Sequence, residues 1–127
     1  MSLKESIYMI TMPPKKNTIE INDIFDLAQS LGLDRDAGNR LTELCRQNDI
    51  AFLGVFGSFS RGEQTEDSDL DLLVRFSTGK SLIDHIRIED NLGSLLGIKV
   101  DLVTERSLSP YIAPAVMKEM REIYCEG

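Results

Sequence analysis

The 127-residue sequence predicts an α/β fold, a small mixed β-sheet with helices packed on it. Two apolar, β-prone runs follow each other at residues 50–56 and 69–74, and a third run at 98–103 alternates in character. Segments with helical spacing precede, separate and follow these runs. The predicted order is therefore helix, strand, strand, helix, strand, helix.

Capping residues set the limits of the earlier helices. Asn22 or Asp23 can cap a first helix that ends at Gly32. A second helix follows, with inward-facing side chains at Leu41, Leu44 and Cys45.

The later helices are predicted in the same way. Ser81 and Asp84 form a capping-box-like start to the helix that crosses between the second and third strands, and Gly97 ends it. A final helix is expected over residues 115–124, with Val116, Met120 and Ile123 at core spacing.

The length and net charge of the chain restrict its domain organisation and the classes of function open to it. We expect residues 1–35 to form an N-terminal arm and helix, and residues 36–127 to form one small domain, too small to include a separate acceptor-binding domain. The net charge of −7 argues against direct nucleic-acid binding, which needs clustered Lys and Arg. Cys45 and Cys125 belong to no ligand cluster, and no apolar run would span a membrane, so a reduced, cytoplasmic protein is expected.

The second strand carries a pair of acids. Asp69 and Asp71 flank Leu70, so a period of two places both carboxylates on one face of the strand. Two carboxylates held close together repel each other unless a cation lies between them. Their hard oxygen ligands suit Mg²⁺ or Mn²⁺.

The turn after the first strand predicts a phosphate site. Gly57 lets the backbone approach a ligand closely, and Ser58 adds a hydroxyl and an N–H that can hold phosphate oxygens. Arg61 can donate to the same phosphates or pair with Glu63, Glu66 or Asp67.

A third acid lies in the third strand. Asp101 shares a strand face with Lys99, and a mid-strand aspartate usually has a partner or lines a cleft. If this strand pairs beside the second strand, three acids converge, as two-metal phosphoryl chemistry requires. Lys99 is compatible with a phosphate contact or with a salt bridge to one of the acids.

These residues resemble a known family. The pattern Gly57, Ser58, ten residues, Asp69-Leu70-Asp71 and a later Asp101 resembles the DNA polymerase β-like nucleotidyltransferase superfamily. More narrowly, GSFSRGE, SDLDLLVRF and KVDLVT resemble the minimal nucleotidyltransferase (MNT) domains, the antitoxins of HEPN–MNT toxin–antitoxin pairs.

The resemblance implies a set of roles. Gly57 and Ser58 would bind the triphosphate, Asp69 and Asp71 would hold Mg²⁺, and Asp101 would be the third acid. The implied reaction is transfer of AMP from ATP to a tyrosine hydroxyl of the HEPN ribonuclease. The sequence leaves the oligomeric state open, whether a homo-oligomer or a hetero-oligomer.

Three alternatives stay open. The acceptor could be a small molecule, since small-molecule nucleotidyltransferases share the Gly-Ser and Asp-x-Asp elements. The chain could instead mask its toxin without catalysis. Finally, residues 58–68 could be a solvated acidic loop whose aspartates only cap and turn.

Overall fold

A computed structural model of the protein describes residues 21–126. The arm predicted for the first 20 residues lies outside the described residues. The observed elements, in chain order, are helix α1 (Ile24–Ser30), helix α2 (Arg35–Gln47), strand β1 (Ile50–Phe56), short helix α3 (Ser58–Arg61), strand β2 (Leu70–Phe76), helix α4 (Leu82–Leu96), strand β3 (Val100–Thr104), a 3₁₀ turn (Glu105–Ser107), helix α5 (Ala113–Glu119) and strand β4 (Arg121–Cys125).

The four strands form one mixed sheet in the order β3-β2-β1-β4. β1 is antiparallel to both β2 and β4, whereas β2 and β3 are parallel and joined by the crossover helix α4. A parallel pair needs a crossover of this kind, which explains the helix between the two acid-bearing strands. The predicted α/β class and mixed sheet are confirmed.

The predicted caps lie at the observed helix ends. Asp23 caps α1 by accepting a hydrogen bond from the Asp26 N–H at 2.8 Å. Ser81 and Asp84 form a complete capping box at the start of α4, and Gly97 ends that helix in the left-handed conformation at φ +69°. Local sequence therefore fixes where these helices begin and end.

The hydrophobic core lies between one face of the sheet and the helices. Leu70, Leu72 and Val74 of β2 are buried against apolar side chains of the helical layer, among them Leu27, Leu41, Cys45, Ile88, Leu92 and Leu96. Because strand side chains alternate, Asp71 lies on the opposite face of the sheet from this core.

The predicted final helix is wrong in its second half. α5 ends at Glu119, Met120 adopts an extended conformation with ψ 139°, and the chain continues as β4. Val116 and Ile123 are both buried, although one lies on a helix and the other on a strand. Their spacing fits one helix face, but pairing with β1 satisfies backbone groups that a longer helix would leave open at that edge.

Side chains of α4 cover the backbone of the edge strand β3. The Leu102 N–H donates to Glu89 Oε2 at 2.7 Å, and His85 Nε2 donates to the Leu102 carbonyl at 2.6 Å. His85 is half-buried in this contact. Across residues 21–126, the helices are too short or too polar to cross a bilayer.

Candidate active site

The predicted site residues meet at one end of the sheet, where β1 ends and β2 and β3 begin. Asp71 is paired with Phe56 on β1 and with Asp101 on β3. Gly57 and Ser58 directly follow β1, and Asp69 directly precedes β2. The antiparallel and parallel pairings therefore bring together residues that are up to 44 positions apart (57 to 101) in the sequence.

Gly57 approaches Asp71 more closely than any other residue type could. Its backbone has φ +73° and ψ −151°, a conformation that favours glycine. A β-carbon at Gly57 would overlap Asp71 Oδ2 and lie 3.2 Å from the Asp71 Cγ. The backbone of the turn thus contacts Asp71, one of the predicted metal-binding carboxylates.

The Gly57 carbonyl fixes the start of the following turn. It accepts hydrogen bonds from the N–H groups of Ser60 and Arg61 at 3.1 and 3.3 Å, and from the Ser60 hydroxyl at 2.8 Å. The Ser58 side chain is half-buried and makes no hydrogen bond to another described residue. Its hydroxyl is consequently available to a ligand at this end of the sheet.

The electrostatics of Asp71 show that negative charge is concentrated here. Burial raises the pKa of the Asp71 carboxyl above its usual value, and the carboxylates of Asp101 and Asp69 raise it further. The Arg61 guanidinium acts in the opposite direction, and Glu119 adds a smaller increase. A cation at this position would relieve the repulsion.

The other two acids are more accessible than Asp71. Asp101 is exposed on β3, and Asp69 forms an ion pair with Lys99 at 3.9 Å. Of the two roles open to Lys99, the structure shows the salt bridge. In the part of the chain that the structure describes, no three acidic, histidine or cysteine side chains are gathered closely enough to enclose an ion.

Arg61 is held between two carboxylates. Its Nε donates to Glu63 at 2.8 Å, one of the partners predicted from the sequence, and its Nη1 donates to Glu119 Oε2 at 2.8 Å. Both hydrogen bonds raise the pKa of Arg61 above its usual range. The contact with Glu119 was not predicted, because that residue lay within the expected long helix.

A separate cleft of about 650 Å³ lies at the other end of β2 and is lined in part by Arg75, Lys80, His85 and Arg106. Lys80 is paired there with Asp49 at 3.0 Å, and Arg75 stacks on Phe52 with its guanidinium carbon 5.0 Å from the ring centre. Two of the cations in this cleft therefore already have partners, and none of the predicted site residues lines it.

Residues 39–123 match the model of the nucleotidyltransferase domain family, and this range contains every residue of the site. The chain belongs to this family. The resemblance inferred from the Gly-Ser and Asp-x-Asp elements is thereby confirmed, as is the enzyme class, nucleotidyltransferase.

Individual relatives agree with this assignment. The chain is 46% identical over 78 residues to the protein adenylyltransferase MntA of Thermococcus cleftensis, an alignment that covers 61% of this chain and 79% of the relative. A solved minimal nucleotidyltransferase is 42% identical with a TM-score of 0.58, covering 71% of this chain and 90% of that one. A toxin–antitoxin solved with AMP-PNP is 29% identical with a TM-score of 0.60, covering 69% and 73%.

Proposed function

We propose that this nucleotidyltransferase is Mg²⁺-dependent, transfers AMP from ATP to a hydroxyl of a HEPN-type toxin, and thereby acts as its antitoxin in the cytoplasm. The observation that carries the proposal is the contact between the Gly57 turn and Asp71, in register with Asp101. This contact joins the predicted phosphate-binding turn to one of the predicted metal-binding acids. A loop of aspartates that only cap and turn would not require it.

The donor set fits a divalent cation. Asp69, Asp71 and Asp101 supply only carboxylate oxygens, the ligands that Mg²⁺ prefers. The pKa of Asp71 is raised first by burial and then by the neighbouring carboxylates of Asp101 and Asp69, and a nearby cation would offset this repulsion. When bound, Mg²⁺ would neutralise charge on the triphosphate and lower the pKa of the attacking hydroxyl.

The chain's own residues would bind the triphosphate and accept the proton of the acceptor hydroxyl. The Gly57 N–H and the Ser58 hydroxyl and N–H would hold phosphate oxygens, and Arg61 would add charge-assisted donors. Asp101 would accept the proton of the acceptor hydroxyl while the hydroxyl oxygen attacks the α-phosphorus in line and pyrophosphate leaves. Asp101 suits this role because its side chain is exposed at the end of the sheet.

A protein acceptor fits this chain better than a small molecule. The described helices and strands pack around one sheet and one core, so a larger partner would have to bring the acceptor. One similar solved structure is a toxin–antitoxin with AMP-PNP, and the Thermococcus cleftensis relative is a protein adenylyltransferase. Both support a protein acceptor and an adenine nucleotide.

The test is a transfer assay with the protein encoded beside this chain. Both proteins are incubated with Mg²⁺ and each α-labelled nucleoside triphosphate in turn, and intact mass spectrometry then records both chains. We expect the partner to gain one or more AMP units from ATP. Asp69→Asn and Asp71→Asn should each abolish the gain, whereas Asp67→Asn, which removes an exposed charge two residues before Asp69, should not.

Two outcomes would contradict the proposal. Unchanged transfer by Asp69→Asn or Asp71→Asn would refute the assignment of the acids. A tight complex with no mass gain for any nucleotide, together with full neutralisation by the Asp69→Asn, Asp71→Asn double variant, would show that the chain masks its toxin without catalysis.

A further inference from the structure

Glu119 bridges two of the donors assigned to the triphosphate. Its Oε1 accepts a hydrogen bond from the Gly57 N–H at 3.2 Å, and its Oε2 accepts from Arg61 Nη1 at 2.8 Å. The Glu119 side chain is 27% exposed and that of Arg61 is 46% exposed. One carboxylate thus engages both the backbone of the turn and the guanidinium beside it.

The pairing of β4 with β1 places Glu119 at this position. Val55 is opposite Arg121 and Gly54 is opposite Glu122, and continuing this antiparallel register puts Glu119 opposite Gly57. Met120 packs directly on Gly54, where an added β-carbon would lie 2.5 Å from the Met120 Sδ. The position of Glu119 is therefore set by the backbone and not by a flexible loop.

A carboxylate and a phosphate oxygen compete for donors of this kind. Both are anionic acceptors that form charge-assisted hydrogen bonds with backbone N–H groups and guanidinium groups. The charge of Glu119 also reaches Asp71, since it makes a small contribution to the raised pKa of that carboxyl. A triphosphate approaching Gly57 and Arg61 would meet both a rival acceptor and a repelling charge.

We propose that Glu119 is a nucleotide-site residue that sets the affinity for triphosphate, because its carboxylate must give up Gly57 and Arg61 to the phosphate oxygens. The inference rests on the proposed nucleotide site. It adds a residue that the Gly-Ser and Asp-x-Asp pattern does not contain, contributed by the junction of α5 and β4.

A purely structural role for Glu119 predicts the opposite effect. If the carboxylate only braced the Gly57 turn and Arg61, its removal would loosen both donors and weaken nucleotide binding. If it competes with phosphate, its neutralisation should strengthen binding. The sign of the change in affinity therefore distinguishes the two roles.

The experiment is isothermal titration calorimetry, in which the full chain is titrated with AMP-PNP at a fixed, saturating concentration of Mg²⁺. Glu119→Gln should lower the dissociation constant about 3- to 10-fold, the range expected when one nearby carboxylate charge is removed from a partly exposed phosphate site. Glu122→Gln is the matched control, because it removes the same charge from an exposed position on β4, and its affinity should stay within about twofold of the wild type.

A second variant guards against loss of folding. Glu119→Asp keeps the charge but is one methylene shorter, so it cannot keep both contacts, and it should bind AMP-PNP with an affinity between those of the wild type and Glu119→Gln. Thermal melting of each variant confirms that the fold is retained.

Unchanged or weaker binding by a folded Glu119→Gln would overturn the inference and assign the residue to bracing the turn. If neither the wild type nor any variant bound AMP-PNP, the nucleotide site itself would be refuted. That result is distinguishable from failure of the Glu119 inference alone, in which the wild type binds and only the predicted gain is missing.

Discussion

Replacing Gly57 with alanine tests the geometry on which the site depends. Alanine at this position would have to adopt φ +73° and ψ −151°, and its β-carbon would overlap the Asp71 carboxylate. A non-glycine residue held in so sparsely populated a region costs about 1–3 kcal/mol. Displacing Asp71 from its side-chain minimum adds about 0.5–1.5 kcal/mol. Together these costs lower the free energy of unfolding by about 1.5–4.5 kcal/mol, or the melting temperature by roughly 6 to 17 °C.

A second glycine provides the matched control for this variant. Gly97 also has a positive φ of +69°, but its ψ of 26° lies in the ordinary left-handed region and nothing lies within 4 Å of an added β-carbon. Gly97→Ala should therefore cost only about 1–2 kcal/mol in urea or thermal denaturation at neutral pH. In the double variant Gly57→Ala, Asp71→Ala, about 1 kcal/mol of the Gly57→Ala loss should be recovered.

Two results would refute this reasoning. Gly57→Ala could prove no more destabilising than Gly97→Ala, which would mean that the turn and Asp71 are not in contact. Alternatively, the losses of unfolding free energy from Gly57→Ala and Asp71→Ala could be strictly additive in the double variant. The cost of Gly57→Ala would then come from its backbone conformation alone and not from the clash with Asp71.

Three further predictions concern stability. Because the pKa of Asp71 is raised, its ionised form costs stability at neutral pH. Asp71→Asn should therefore melt at a higher temperature than the wild type at pH 7, and calorimetry across pH should show this gain disappearing as the pH falls through the raised folded pKa to the ordinary value of 3.8. Burial raises the pKa of the Cys45 thiol to about 12, so its contribution to the free energy of unfolding is complete below pH 9.0 and is lost between pH 9.0 and about 12. A thiol reagent should therefore modify only the exposed Cys125 in the native state, and early reaction of Cys45 would contradict this. Ser81→Ala removes the side-chain cap of α4 and should cost about 1 kcal/mol in urea denaturation, whereas Ser94→Ala, exposed on the same helix, should change stability by less than about half that amount.

Features that depend on a few adjacent residues could be predicted from the sequence. The capping box at Ser81 and the stop at Gly97 depend only on local backbone chemistry, and β1 was predicted with its observed bounds. Asp71 and Asp101 lie on neighbouring strands because a crossover helix makes β2 and β3 a parallel pair, which the spacing of the strands already suggested.

Features that depend on distant pairing could not be predicted. Residues 115–124 fit a helix by spacing, yet the available edge of β1 draws Arg121–Cys125 into the sheet. Glu119 lies beside Gly57 only because of this pairing, so no local pattern marks it as part of the site. The β-prone pair Ile123 and Tyr124 was the one available hint, and so short an apolar run is ambiguous between helix and strand.

The side chains of α4 that bond to Leu102 also have a consequence for assembly. An edge strand with open N–H and carbonyl groups can recruit a strand from another chain, either in a partner complex or in an aggregate. At Leu102 both groups are already satisfied by Glu89 and His85. An incoming strand could therefore pair with Leu102 only by displacing the side chains of Glu89 and His85. This competition at the middle of β3 disfavours edge-to-edge pairing on the flank of the sheet that carries Asp101.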